Sequence, residues 1–123
     1  MSTEEFIKDL QKVSELMKKE KYRDAIVIIE KLKEIEKKGD FDYSLTHQLY
    51  QYHSNAHSLY NQEIILKSLE EISGNTVSFE ELTKKVQDLG NVDLDYPNLK
   101  KEIELLILRG KLNCKIQGEK LIR

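Results

Sequence analysis

The chain has one cysteine (Cys114), one proline (Pro97), no tryptophan and five glycines among 123 residues. A lone thiol cannot close an internal disulfide, so the fold must rest on its apolar core. The scarcity of proline and glycine excludes collagen-like and low-complexity architectures and leaves few points where a helix must stop. Apolar runs reach only four or five residues, as at Ala25–Ile29 and Leu105–Leu108. Such runs are too short to cross a bilayer and unlike the core of a signal peptide, so the expectation is a cytoplasmic protein with no membrane span. Net charge is also small, −2 at pH 7, which removes any chain-wide attraction to phosphate polymers.

What the chain does have is charge and helix formers: 34% charged and 39% hydrophobic residues, rich in Lys, Glu, Leu and Ile. The charge is unevenly spread. Residues 1–60 carry 10 Lys/Arg against 11 Asp/Glu, residues 61–99 carry 3 against 8, and residues 100–123 carry 7 against 3. Only the C-terminal end is basic, so affinity for phosphates should be local.

Ser2 and Glu5 fit a capping box, and Phe6, Leu10, Val13 and Met17 then recur at helical spacing, predicting a first helix over residues 3–20. Tyr22, Ala25, Ile26, Ile29, Leu32 and Ile35 predict a second helix ending near Gly39, antiparallel to the first. Leu45, Leu49, Tyr52, Ala56 and Leu59 keep four-three spacing with no Pro or Gly before Ser73, so the stretch reads either as two helices, 44–60 and 61–73, or as one long helix from about Ser44 to Ser73. The single long helix would couple the N-terminal hairpin to the C-terminal lobe.

Gly74-Asn75 then ends that helix, Thr76-Val77 form a short strand, and Ser78 with Glu81 makes a second capping box for helix 79–89, which Gly90 stops. Pro97 suits the first turn of another helix whose inward stripe is Leu99, Ile103, Leu106 and Ile107. After Gly110, Leu112, Cys114 and Ile116 alternate with Lys111, Asn113 and Lys115, Gln117-Gly118 supplies a turn, and Leu121-Ile122 return as the second strand of a hairpin. Helix, strand, two helices and a terminal ribbon follow one another as in a winged helix, a fold that reads nucleic acid or docks on proteins.

Two stretches carry family resemblances. Leu16–Ile26, with Tyr22 three residues before the small Ala25, resembles part of a tetratricopeptide-type helical hairpin. Glu104–Ile122, with Arg109-Gly110-Lys111-Leu112 followed by Cys114-Lys115-Ile116-Gln117-Gly118, resembles the closing segment of PCI modules, which serve as scaffolds in multi-subunit assemblies. It is similar as well to the terminal winged helix of DDRGK-type adaptor proteins and to winged helices of endosomal-sorting subunits. The PCI resemblance implies side-by-side docking through the wing and its exposed strand edge.

Candidate sites are few. His53 and His57 stand four apart on one helix face, the spacing of a metal pair, but Ser54, Asn55 and Ala56 lie between them and the only thiol is in the wing. With no third ligand in sight, no metal or other cofactor is expected. Tyr50, His53, His57 and Tyr60 would instead form an aromatic docking surface or line the seam between the two lobes. Lys100, Lys101, Lys111, Lys115, Lys120 and Arg123 form the candidate partner or nucleic-acid surface, with Glu102, Glu104 and Glu119 intruding on it. Cys114 belongs to the apolar stripe of the ribbon and reads as a small buried hydrophobe. There is no Gly-rich phosphate loop and no nucleophile elbow.

The expectation is a mainly α protein with a small β-wing: a helical hairpin and third helix in residues 1–60, packed on a winged-helix domain in 61–123. Its function would be non-catalytic, as an interaction subunit or adaptor whose partners are other protein subunits, with no small-molecule substrate. The alternative is a DNA-binding transcriptional regulator.

Overall fold

A computed structural model describes residues 1–123. The protein is mainly helical with a small antiparallel sheet. Five helices are α1 (Thr3–Lys18), α2 (Tyr22–Lys38), α3 (Tyr43–Glu71), α4 (Phe79–Gly90) and α5 (Tyr96–Leu108), and three strands are β1 (Thr76–Ser78), β2 (Lys115–Gln117) and β3 (Lys120–Ile122). The chain forms two compact units, Met1–Tyr60 and Asn61–Arg123, whose boundary falls inside α3.

In the first unit, Ser2 caps α1 by accepting from the Glu5 N–H, as its capping-box spacing requires. The α1–α2 turn closes with the Glu20 N–H donating to the Met17 carbonyl and the Lys21 N–H to the Leu16 carbonyl. This is a Schellman turn, and Glu20 holds its left-handed position at φ 59°. The core is one cluster in which Phe6, Leu10 and Val13 of α1, Ala25, Ile29 and Leu32 of α2, and Leu49 and Ala56 of α3 are all buried. Phe41, in the α2–α3 connection, stacks on Phe6 with centroids 4.4 Å apart. Asp42 begins α3 by accepting from the Ser44 N–H.

The second unit follows the order end of α3, β1, α4, α5, β2, β3, and its strands lie in the order β1-β3-β2. Val77 pairs with Leu121, and Leu121 with Ile116. Cross-strand partners share a face, so these three apolar residues line one side of the sheet. Lys115, Gln117, Lys120 and Ile122 are on the other. Val77, Phe79, Leu82, Val86, Leu99, Ile103, Leu106 and Leu121 are all at most 2% exposed and make the core.

Two local expectations are corrected. The first ribbon strand does not begin at Lys111. The end of α5 is wrapped in a second Schellman turn, Gly110 N–H to Ile107 and Lys111 N–H to Leu106, with Gly110 at φ 72°. The chain is therefore still leaving the helix at Lys111, the ladder starts only at Lys115, and Leu112 and Cys114 are half-buried outside it. Gly90 does not itself stop α4 either. It remains helical, and Asn91 takes the left-handed position at φ 52°. Gly90 is small because a Cβ there would lie 2.7 Å from both Cγ1 and Cγ2 of Ile64.

Candidate functional site

Two groups of polar side chains stand out, one in each unit. In the first unit, acidic residues of α2 meet the polar flank of α3. The Glu36 carboxylate accepts from Thr46 Oγ1 and from the Tyr50 hydroxyl, each at 3.4 Å. Six residues earlier on α2, Glu30 Oε1 lies 3.3 Å from His57 Nε2 and 3.4 Å from His53 Nδ1. Rising numbers on α3 thus meet falling numbers on α2, so the two helices run antiparallel. The flank identified from sequence is accordingly placed against α2: Tyr50 and His53 are edge-to-face at 6.4 Å, and His53 and His57 at 4.5 Å. Tyr60 stands at the end of this unit, half-buried.

The electrostatics of the Glu30 cluster follow from its neighbours. Partial burial alone would raise the Glu30 pKa, but the His57 hydrogen bond and the Lys33 ammonium, 3.7 Å from Oε2, outweigh it and hold the carboxyl below its usual range. His53 is held below the ordinary histidine value by burial first, then by Lys33 and His57, against the opposing pull of Glu30. Its Nδ1 is buried and, despite its proximity to Glu30, makes no aligned hydrogen bond. Sequence spacing supplied the two imidazoles. Glu30 was hidden because its approach depends on how α2 packs on α3.

In the second unit, Lys100, Lys101, Lys111, Lys115 and Lys120 are all exposed. Lys115 and Lys120 share the outer sheet face through the Lys115–Ile122 and Gln117–Lys120 pairs. Glu102 does not intrude on this surface, since it points inward at 5% exposure. Arg123 is committed elsewhere: its guanidinium donates to the carbonyls of Leu69 at 2.6 Å, Gly74 at 3.0 Å and Ile72, binding the end of α3. Arg109 likewise donates to the buried Gln62 of α3. Neither arginine announces this in sequence, because both partners come from distant chain positions.

The exposed face of α5 carries Lys100, Glu104 and Leu108 at successive four-residue steps. Leu108 is 82% exposed, the most exposed large hydrophobic of the chain. Strand β2 pairs only with β3, leaving its other edge open. The Cys114 thiol is half-buried, and burial raises its pKa, with Arg123 opposing. No protein-family model, curated protein or solved structure matches the chain.

Proposed function

We propose that the protein is a non-catalytic interaction subunit, and that its second unit is a winged helix docking on another protein. The observation that carries this reading is the open edge of β2, whose backbone donors and acceptors can extend the sheet with a partner strand. The order β1-α4-α5-β2-β3 with sheet order β1-β3-β2 supports the winged-helix reading, in which α5 is the helix that would enter a DNA groove.

The composition of that helix favours protein over DNA. A groove-reading helix gains from cations near phosphates and from Arg, Asn or Gln at base edges. Here the outward row offers a carboxylate, Glu104, between Lys100 and an apolar Leu108. Glu104 repels phosphate, whereas a bare leucine on the outward row suits a partly apolar protein surface.

A two-armed experiment tests the reading. Labelled duplex DNA is titrated at low and moderate salt against the wild type and a Lys100→Glu/Lys101→Glu/Lys115→Glu variant; in parallel, the protein and a Leu108→Asp variant are used to capture partners from native cells. Stable protein partners lost in Leu108→Asp, with no salt-dependent duplex binding, are expected. Duplex binding that weakens steeply with salt and vanishes in the triple variant would instead establish the DNA-binding alternative.

A further inference from the structure

We propose that Glu30, His53 and His57 form a binding site for a single divalent transition-metal ion of the zinc class, which would clip α2 to α3. The inference is independent of the docking role assigned to the second unit.

Geometry carries it. An ion held at about 2.0–2.1 Å by tetrahedral nitrogen and oxygen donors has its donors about 3.4 Å from one another. Glu30 Oε1 is 3.4 Å from His53 Nδ1 and 3.3 Å from His57 Nε2, and all three donor atoms lie within 4.8 Å of one another. Two edges of a coordination polyhedron are therefore nearly formed without moving either helix, and the third, between the two imidazoles, is at most 4.8 Å. The His53 Nδ1 supplies a second observation. It is buried and close to a carboxylate oxygen, yet no hydrogen bond satisfies it. A buried nitrogen in that state is costly unless something accepts its lone pair or its proton, and a cation between it and Oε1 would use the lone pair directly.

The donor set names the ion's class. Two imidazoles and one carboxylate suit zinc and its first-row neighbours, while calcium and magnesium prefer all-oxygen shells. The side chains of His53, His57 and Glu30 are 31%, 41% and 50% exposed, so the remaining position opens to solvent, where water or a partner's side chain would complete the shell. Lys33 is the one opposing group. Its ammonium pairs with Glu30 Oε2, which leaves Oε1 as the oxygen facing the histidines but weakens cation binding from behind.

The test uses the full chain without a histidine tag, titrated with ZnCl2 by calorimetry and thermal melting, with Co2+ as a spectroscopic substitute. One ion per chain, a raised melting temperature and a tetrahedral Co2+ ligand-field band are expected. Glu30→Gln and His57→Gln should each weaken binding by about 100-fold or more, beyond the loss typical of a supporting residue. Lys33→Met should tighten it, and His47→Ala should leave it unchanged. Metal-free melting of each variant shows that it folds. Absence of stoichiometric zinc at micromolar concentrations, or binding that survives Glu30→Gln unchanged, overturns the proposal.

Discussion

Replacing Gly90 by alanine tests the packing of the second unit at its tightest point. The new Cβ would sit 2.7 Å from Cγ1 and Cγ2 of Ile64 and 3.2 Å from its Cβ. Ile64 is only 5% exposed, and the clashing atoms lie at its branch point, where no rotation of a flexible tip can clear them. Overpacking of this kind costs about 1–3 kcal/mol. Against it stands the helical preference of alanine over glycine, about 0.5–1 kcal/mol. The net expectation is a loss of about 1–2 kcal/mol, read by urea unfolding and by a melting temperature lower by several degrees. Ile64→Ala removes both γ carbons and should itself cost about 2–5 kcal/mol as a cavity. In that background the alanine at 90 no longer clashes and should stabilise, so the double-mutant cycle should show coupling of about 2–3 kcal/mol. A Gly90→Ala protein as stable as wild type, or an equal cost in both backgrounds, would refute the packing argument.

Three further outcomes follow from the structure. Arg123→Ala should destabilise the second unit by about 1–3 kcal/mol in chemical denaturation, because it strips charged donors from the carbonyls of Leu69, Ile72 and Gly74. Glu20→Gly should stabilise by about 1 kcal/mol, since Glu20 occupies the left-handed position of a Schellman turn that glycine adopts without penalty. Cys114 should be alkylated by iodoacetamide more slowly than a free thiol at neutral pH. Burial raises its pKa, so the reactive thiolate becomes abundant only above the ordinary thiol range; fast modification near pH 7 would contradict this.

Much of the fold was legible because local signals agreed with one another. Ser2 and Ser78 cap the helices their capping boxes announced, and the lack of Pro or Gly after Leu45 allowed the single helix that is observed. What escaped sequence reading depends on tertiary approach. Gly90 looks like a helix stop in one dimension and is a close-packing residue in three. Phe41 lies in a short connection with no periodicity, yet it stacks on Phe6. Arg123 carries the charge expected of a partner surface but spends it on helix carbonyls. Glu30 belongs to an ordinary Lys/Glu-rich helix face until α3 brings two imidazoles beside it.

The docking reading is tested most directly by placing a photo-crosslinking benzoylphenylalanine at Gln117, an exposed position on the open β2 edge, in the native cell. A discrete adduct with another protein is predicted, lost when Leu108 is replaced by aspartate and not reproduced by the same probe at Glu15 on α1. Adducts with nucleic acid alone, or protein adducts formed equally from Glu15, would contradict it.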